Sequence, residues 1–173
     1  MSEQLIWVDL FDKEIGQGEK LETHVKEQLH RAFSVFIIHD GKMFIQRRAM
    51  DKYHSGGLWA NACCSHPRAG ESFETSVQDR MELELGIPKG SCMPEEKFSF
   101  VYYSKYEGLS EYEYDHVLVT DYHGAMVPNP EEIMDTRWIE LEQLKRELEE
   151  EPQKFSAWFL IAAPRVLNMY QVL

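Results

Sequence analysis

The stretch "AFSVFIIHDGKMFIQRRA", residues 32–49, constrains the fold more than any other. Two runs rich in β-branched and aromatic residues meet at Asp40-Gly41. That dipeptide accepts the positive φ angles of a tight two-residue turn, so the stretch predicts an antiparallel hairpin. "LWANACCSH" fits a further extended segment, and "KFSFVYYSKY" and "EYEYDHVLVTDYH" are aromatic and β-branched enough for strands. In "ESFETSVQDRMELELGI", Phe73, Val77, Met81 and Leu85 recur at spacing four and Gly86 marks a C-terminal stop, which predicts a helix. "MDTRWIELEQLKRELEEE" begins as a strand and ends as a solvated amphipathic helix with Leu141, Leu144 and Leu148 toward the core. "KFSAWFLIAAPRVLNMY" reads as a final apolar helix interrupted near Pro164. Strands and helices mix without regular βαβ alternation, which predicts α+β, an α/β/α sandwich on a mixed sheet.

At 173 residues the chain suits one domain, 1–173, with a real core, and neither repeat nor linker divides it. No apolar run approaches the roughly 20 residues needed to span a bilayer. The N-terminus lacks the basic start and long apolar stretch of a signal peptide, so cytoplasmic residence and no membrane partner are expected. Three cysteines leave at least one unpaired, which argues for a reducing compartment. A net charge of −12 argues against a nucleic-acid partner, since phosphate backbones need a basic face. A small anionic ligand needs only a local basic pocket, usually helped by Mg²⁺.

Three features bear on chemistry. In "NACCSHPRAGES", residues 61–72, Cys64 and His66 stand two apart, so on an extended strand both face one side. Taken alone, this pair reads more simply as a buried thiol beside a turn histidine. A structural zinc site needs a second close pair of Cys or His, and Cys92 stands alone. On a strand, "SEYEYDHVLV" projects Glu111, Glu113 and Asp115 from one face, and Val117 and Val119 continue that face. Acids at the edge of a core suit metal ligation. The third feature is His24 and His30 in "KLETHVKEQLHRAF", whose spacing of six requires a loop to bring them together. Three histidines and two glutamates make five N/O ligands. Mn²⁺ or Mg²⁺ suits the oxygens, while three imidazoles also admit Zn²⁺ or Fe²⁺. A neighbouring cysteine can act as acid or base.

With these residues in view, the sequence resembles the type 1 isopentenyl-diphosphate Δ-isomerases, which are built on the Nudix fold. The resemblance runs from about Gly18 to Trp158 through "EKLETHVKEQLHRAFSVF", "QRRAMDKYHSGGLWANACCSHPRAGES", "RMELELGI", "EYEYDHV" and "FSAWF". It implies a Nudix-like sandwich and interconversion of isopentenyl and dimethylallyl diphosphate, a step of isoprenoid precursor synthesis, by an allylic proton shift. Carried over by motif, Cys64 and Glu113 are the acid–base pair, with Tyr102 near the carbon skeleton as a proton relay. His24, His30, His66, Glu111 and Glu113 are the ligands of a tightly held Mn²⁺ or other divalent ion. Glu84 helps hold a second ion, Mg²⁺, on the diphosphate. Lys20, Arg48, Lys52 and Arg80 contact the diphosphate, and Trp158 offers an indole face to carbocation character. The expected partner is a small allylic or homoallylic diphosphate, and the expected state a monomer or weak homodimer.

The general Nudix box is degraded. Ending it on Gly86-Ile87 puts Ser65 at its first glycine, Asp79-Arg80 at its Arg-Glu and Leu83 at the first acid of its Glu pair. Of its acids only Glu71 and Glu84 remain. Two rival readings are therefore a Nudix-type pyrophosphohydrolase, which needs that acid cluster, and a non-catalytic binding protein on the same fold. The remaining residues have ordinary expectations: His39 and His54 exposed beside turns, His116 and His123 at strand edges, and Trp7, Trp59 and Trp138 in the core. Cys63, on the opposite strand face from Cys64, is expected to pack, and only one of Arg47 and Arg48 to face the site.

Overall fold

A computed structural model of the chain describes residues 3–170. Within them lie strands β1 (Gln4–Val8), β2 (Glu14–Glu19), β3 (His30–His39), β4 (Lys42–Arg48), β5 (Trp59–Ala60), β6 (Cys63–Ser65), β7 (Glu95–Tyr106), β8 (Leu109–Thr120) and β9 (Ile133–Glu140). The helices are α1 (Lys20–Val25), α2 (Phe73–Leu85), α3 (Leu141–Glu150) and α4 (Ala157–Met169). The hairpin forms where the sequence places it. Asp40 and Gly41 take φ values of 48° and 73°, and the strands pair Ile37 with Phe44, Ile38 with Met43 and His39 with Lys42. β3 is the hub of one mixed sheet, antiparallel to β1, β4 and β6 and parallel to β8.

Both faces of β3 are covered, which is why it reads as a continuous apolar run rather than an alternating one. Phe33, Val35 and Ile37 pack with Val77, Met81 and Leu85 of α2. Phe36 and Ile38 pack on the other side with Leu144 of α3 and Phe159, Ala162 and Ala163 of α4. The α/β/α layering is as expected. Helix α2 is capped by Ser72, whose side chain accepts the Thr75 N–H at 3.1 Å, and stops at Gly86 in the left-handed region, φ 64°. Leu141, Leu144 and Leu148 are buried, and Cys63 and Cys64 belong to opposite cores.

Three expectations fail. Helix α4 runs unbroken through Pro164, because Phe159, Ala162, Ala163, Val166 and Leu167 hold it to the sheet while Pro164 lies on the exposed side. The three tryptophans are only partly covered: Trp59 carries the Arg137 guanidinium over its ring at 4.9 Å, and Trp138 is 37% exposed. His116 is not at a sheet edge, since β8 lies between β3 and β7. It bonds Glu96 at 2.6 Å. His123 is exposed in the loop beyond β8, and His39, half-exposed, stacks on it.

The register builds the site. Parallel pairing sets His30 directly beside Glu113, and β7 sets Tyr102 on Glu113's other side. Strand β6 sets Cys64 beside Ser34 of β3. The period of two then places His30 and Ser34 on the same face as Glu111, Glu113 and Asp115, at the mouth of the core containing Val117 and Val119.

Candidate active site

His24 from α1, His30 from the start of β3, His66 just beyond β6, and Glu111 and Glu113 from β8 converge as a buried group. One donor atom from each lies within 4.8 Å of all the others. His24 Nε2 is 3.0 Å from Glu111 Oε1, His66 Nε2 is 3.0 Å from Glu113 Oε1, and His30 Nε2 is 3.7 Å from a carboxylate oxygen of each. Two backbone carbonyls orient the rings: Nδ1–H of His24 donates to Lys20 and Nδ1–H of His30 to Gln28. That fixes the tautomer and turns each Nε2 lone pair inward. His24 Nε2, His30 Nε2 and Glu111 Oε2 are buried with no hydrogen-bond partner. Three orphaned lone-pair atoms brought together are costly unless something binds them, and a divalent cation satisfies all three. The group can hold a metal ion.

The electrostatics of the cluster divide its members. Burial opposes the charged form of His30, but the neighbouring Glu113 and Glu111 carboxylates outweigh it and raise the pKa. Burial and the neighbouring His30 push His66 well down. Burial also opposes ionisation of Glu113, yet hydrogen bonding and charge within the cluster hold its pKa low. Glu113 therefore faces two ways. Oε1 belongs to the cluster, while Oε2 accepts the Tyr102 hydroxyl at 2.9 Å. Asp115, next along the strand face, bonds Ser34 at 2.8 Å instead, and burial with the Glu113 charge pushes its pKa well up.

Beside the cluster a cavity is lined by Cys64, Tyr102 and Trp158 and by Lys20, Arg48, Lys52 and Arg80. Arg48 faces it while Arg47 turns away to the Gly57 carbonyl. Burial lowers the Lys52 pKa, and the charges of Arg80, Arg48 and Lys20 lower it further against Glu84. That is the signature of a positive pocket in an acidic protein. Glu84 stands apart from the five cluster residues. It is buried and accepts from Arg80 Nε and, at 2.9 Å, from Gln46 Nε2. Cys64 is half-buried, and its thiol is pushed up to about 12 by burial, with Arg48 pulling the other way. At neutral pH it carries its proton. Burial and the Glu113 charge likewise keep Tyr102 protonated.

Several residues at the site escape sequence reasoning. His54 is buried rather than exposed, because the turn carrying it folds inward and its Nε2 meets Glu111 Oε1 at 2.7 Å. Tyr53 donates to the same oxygen at 2.8 Å. Asn61 fixes the Trp158 indole, accepting its Nε1–H at 3.0 Å while donating to the Val35 and Cys63 carbonyls. Glu132, before β9, pairs with Lys52 and, at 3.0 Å, with Arg80. Its neighbours in sequence carry no signal of this. Tyr53 and His54 share a stretch with Lys52, and that adjacency is the one clue that they reach the pocket.

A family model described as the NUDIX domain matches residues 28–159. Among curated relatives, an isopentenyl-diphosphate Delta-isomerase 2 of Aromatoleum aromaticum is 39% identical over 170 residues, covering 97% of this chain and 88% of the relative. An isopentenyl-diphosphate Delta-isomerase of Serratia proteamaculans is 42% identical over 162 residues, 92% of this chain and 89% of the relative. Among solved structures, the DR0079 protein of Deinococcus radiodurans superposes with a TM-score of 0.76 at 19% identity, covering 94% of this chain and 98% of that one. A MutT NUDIX hydrolase of Burkholderia pseudomallei gives 0.59 at 19% identity, covering 80% and 98%. At such identities these two structures speak for the fold alone.

Proposed function

The chain belongs to the isopentenyl-diphosphate Delta-isomerases of the Nudix family, and from that premise we propose that this site interconverts isopentenyl and dimethylallyl diphosphate. The observation that carries the reading is the double engagement of Glu113, one oxygen in the His/Glu cluster and the other on Tyr102 at the cavity wall. An allylic shift needs one group to deliver a proton to the alkene and another to remove a proton from a different carbon. Cys64 and the Glu113–Tyr102 pair, both lining one cavity, are the two groups. The reaction is reversible, so each serves as acid in one direction and base in the other.

Lys20, Arg48, Lys52 and Arg80 bind the diphosphate and so fix the carbon skeleton between the two proton-transfer groups. The buried Trp158 indole, held by Asn61, faces the positive charge that develops when the alkene is protonated. His24, His30, His66, Glu111 and Glu113 would hold Mn²⁺ or another divalent ion, and Glu84 would help hold Mg²⁺ on the diphosphate. When bound, these ions supply fixed positive charge that keeps Glu113 ionised and neutralises the diphosphate. The Cys64 thiol keeps its proton until an alkene is presented to it. We place the activity in a single domain, 1–173, working as a monomer or weak homodimer in the cytoplasm, without nucleic-acid or membrane partners. Three free thiols agree with a reducing compartment, and no helix among the described residues is long and apolar enough to cross a membrane.

The test is product identification. Purified protein with Mn²⁺, Mg²⁺ and isopentenyl diphosphate should yield dimethylallyl diphosphate. Release of inorganic phosphate or pyrophosphate would instead favour hydrolysis.

A further inference from the structure

Glu111 is 1% exposed, and its two oxygens have different fates. Oε1 accepts from the Tyr53 hydroxyl at 2.8 Å, meets His54 Nε2 at 2.7 Å and lies 3.0 Å from His24 Nε2, so two donors outside the ligand group already occupy it. Oε2 has no hydrogen-bond partner and lies 3.7 Å from His30 Nε2, inside the ligand group. An ionised carboxylate only accepts, so the His54 proton sits on Nε2, and Nδ1 accepts from the Ser55 hydroxyl at 3.0 Å. The ring cannot swing away. It stacks on Tyr106 with centroids 4.4 Å apart and meets Trp158 edge-on at 5.8 Å.

We propose that Tyr53 and His54 are positioning residues that clamp Oε1 of Glu111, so that Oε2 is delivered to the metal. Neither residue belongs to the five-ligand group. Tyr53 has a second attachment: its ring lies under Lys20 Nζ at 4.9 Å. One side chain thus ties a metal-ligating carboxylate to a diphosphate-binding cation, across the boundary between the two halves of the site.

The loop between β4 and β5 is shaped for this reach. Ser55 and Gly57 take φ values of 55° and 77°, Gly57 N–H donates to the Arg48 carbonyl at 2.9 Å, and a Cβ at Gly56 would come within 2.5 Å of the Met50 carbonyl oxygen. A backbone this specified holds Lys52, Tyr53 and His54 in fixed relation. Hydrogen bonds donated to a ligating carboxylate fix its orientation, and losing such an outer-shell partner typically costs ~10–100-fold in metal affinity.

This inference rests on the cluster holding an ion, and its test reads metal retention directly, whereas the isomerase reading is judged by product. The full-length protein is titrated with Mn²⁺, free Mn²⁺ being followed by its electron paramagnetic resonance signal. His54→Leu and Tyr53→Phe should each weaken Mn²⁺ about tenfold or more. His54→Gln, which keeps an N–H donor at that reach, should stay within about threefold of wild type. With Mn²⁺ saturating, kcat of Tyr53→Phe should recover while KM is unchanged, because the ring under Lys20 remains. Tyr53→Phe removes a single oxygen, so it keeps the test decisive even where His54→Leu fails to fold. Mn²⁺ affinity within twofold of wild type in Tyr53→Phe, or a His54→Gln protein as weak as His54→Leu, overturns the proposal.

Discussion

Asp115 shows how one residue's surroundings reverse its ordinary behaviour. It shares the strand face of Glu111 and Glu113 but lies outside the ligand group, and burial with the Glu113 charge raises its pKa. In the unfolded chain it ionises near pH ~4. Between that pH and the raised folded value, the unfolded state releases a proton that the folded state retains. Its contribution therefore favours folding at low pH and erodes as pH rises. Asp115→Asn cannot ionise in either state and can still accept from Ser34. Its stability in urea titrations should match wild type near pH 4 and exceed it increasingly toward pH 8. A constant difference across that range would contradict the raised pKa. Which single residues were legible follows a simple division. Glu111 and Glu113 are two apart on β8, and Cys64 and His66 are two apart at the end of β6, and that spacing is visible in the sequence. His54 and Asn61 owe their roles to contacts across 57 and 97 positions of chain, to Glu111 and Trp158, and no local pattern encodes those.

Among the elements, the hairpin and α2 could be read because their determinants are local: Asp40-Gly41 for the turn, the four-residue apolar spacing and Gly86 for the helix. The continuity of helix α4 through Pro164 could not, because the cost of a proline is local but the gain that offsets it is tertiary. Pro164 removes an N–H and crowds the preceding turn, while five buried side chains hold the helix in place. Pro164→Ala should therefore stabilise the protein. The expected gain is about 1–2 kcal/mol: a helix-interior proline costs about 3 kcal/mol, less roughly 1 kcal/mol for the unfolded-chain entropy it removes. Chemical denaturation measures it. A loss of stability would show that α4 depends on the kink-prone residue.

For the molecule as a whole, a net charge of −12 and a pocket of four cations stand together without conflict. The surface carries the acids, and the anion meets the basic groups only at short range, where screening matters least. Lys52 stands among the charges of Arg80, Arg48 and Lys20, so removing its charge should be felt by any diphosphate. Lys52→Met should weaken inorganic pyrophosphate and isopentenyl diphosphate alike, by about tenfold, as for loss of one charge-assisted bond of ~1.5 kcal/mol. Equal affinity in calorimetry would mean that the pocket has another occupant. The layering was legible from the sequence, whereas the four basic residues were named only through the family resemblance. Glu132, which bridges Lys52 and Arg80, was not legible, because it reaches them across 80 and 52 positions of chain.

The central claim is that Cys64 and the Glu113–Tyr102 pair exchange protons with the carbon skeleton while the diphosphate stays intact. Incubation with isopentenyl diphosphate in D₂O, followed by nuclear magnetic resonance, tests it most directly. Wild type should form dimethylallyl diphosphate carrying solvent deuterium and release no phosphate. Cys64→Ala should still bind pyrophosphate but lose turnover by roughly 10²–10⁴-fold. Isomer formed by Cys64→Ala at the wild-type rate, or phosphate released by wild type in place of isomer, would contradict the account.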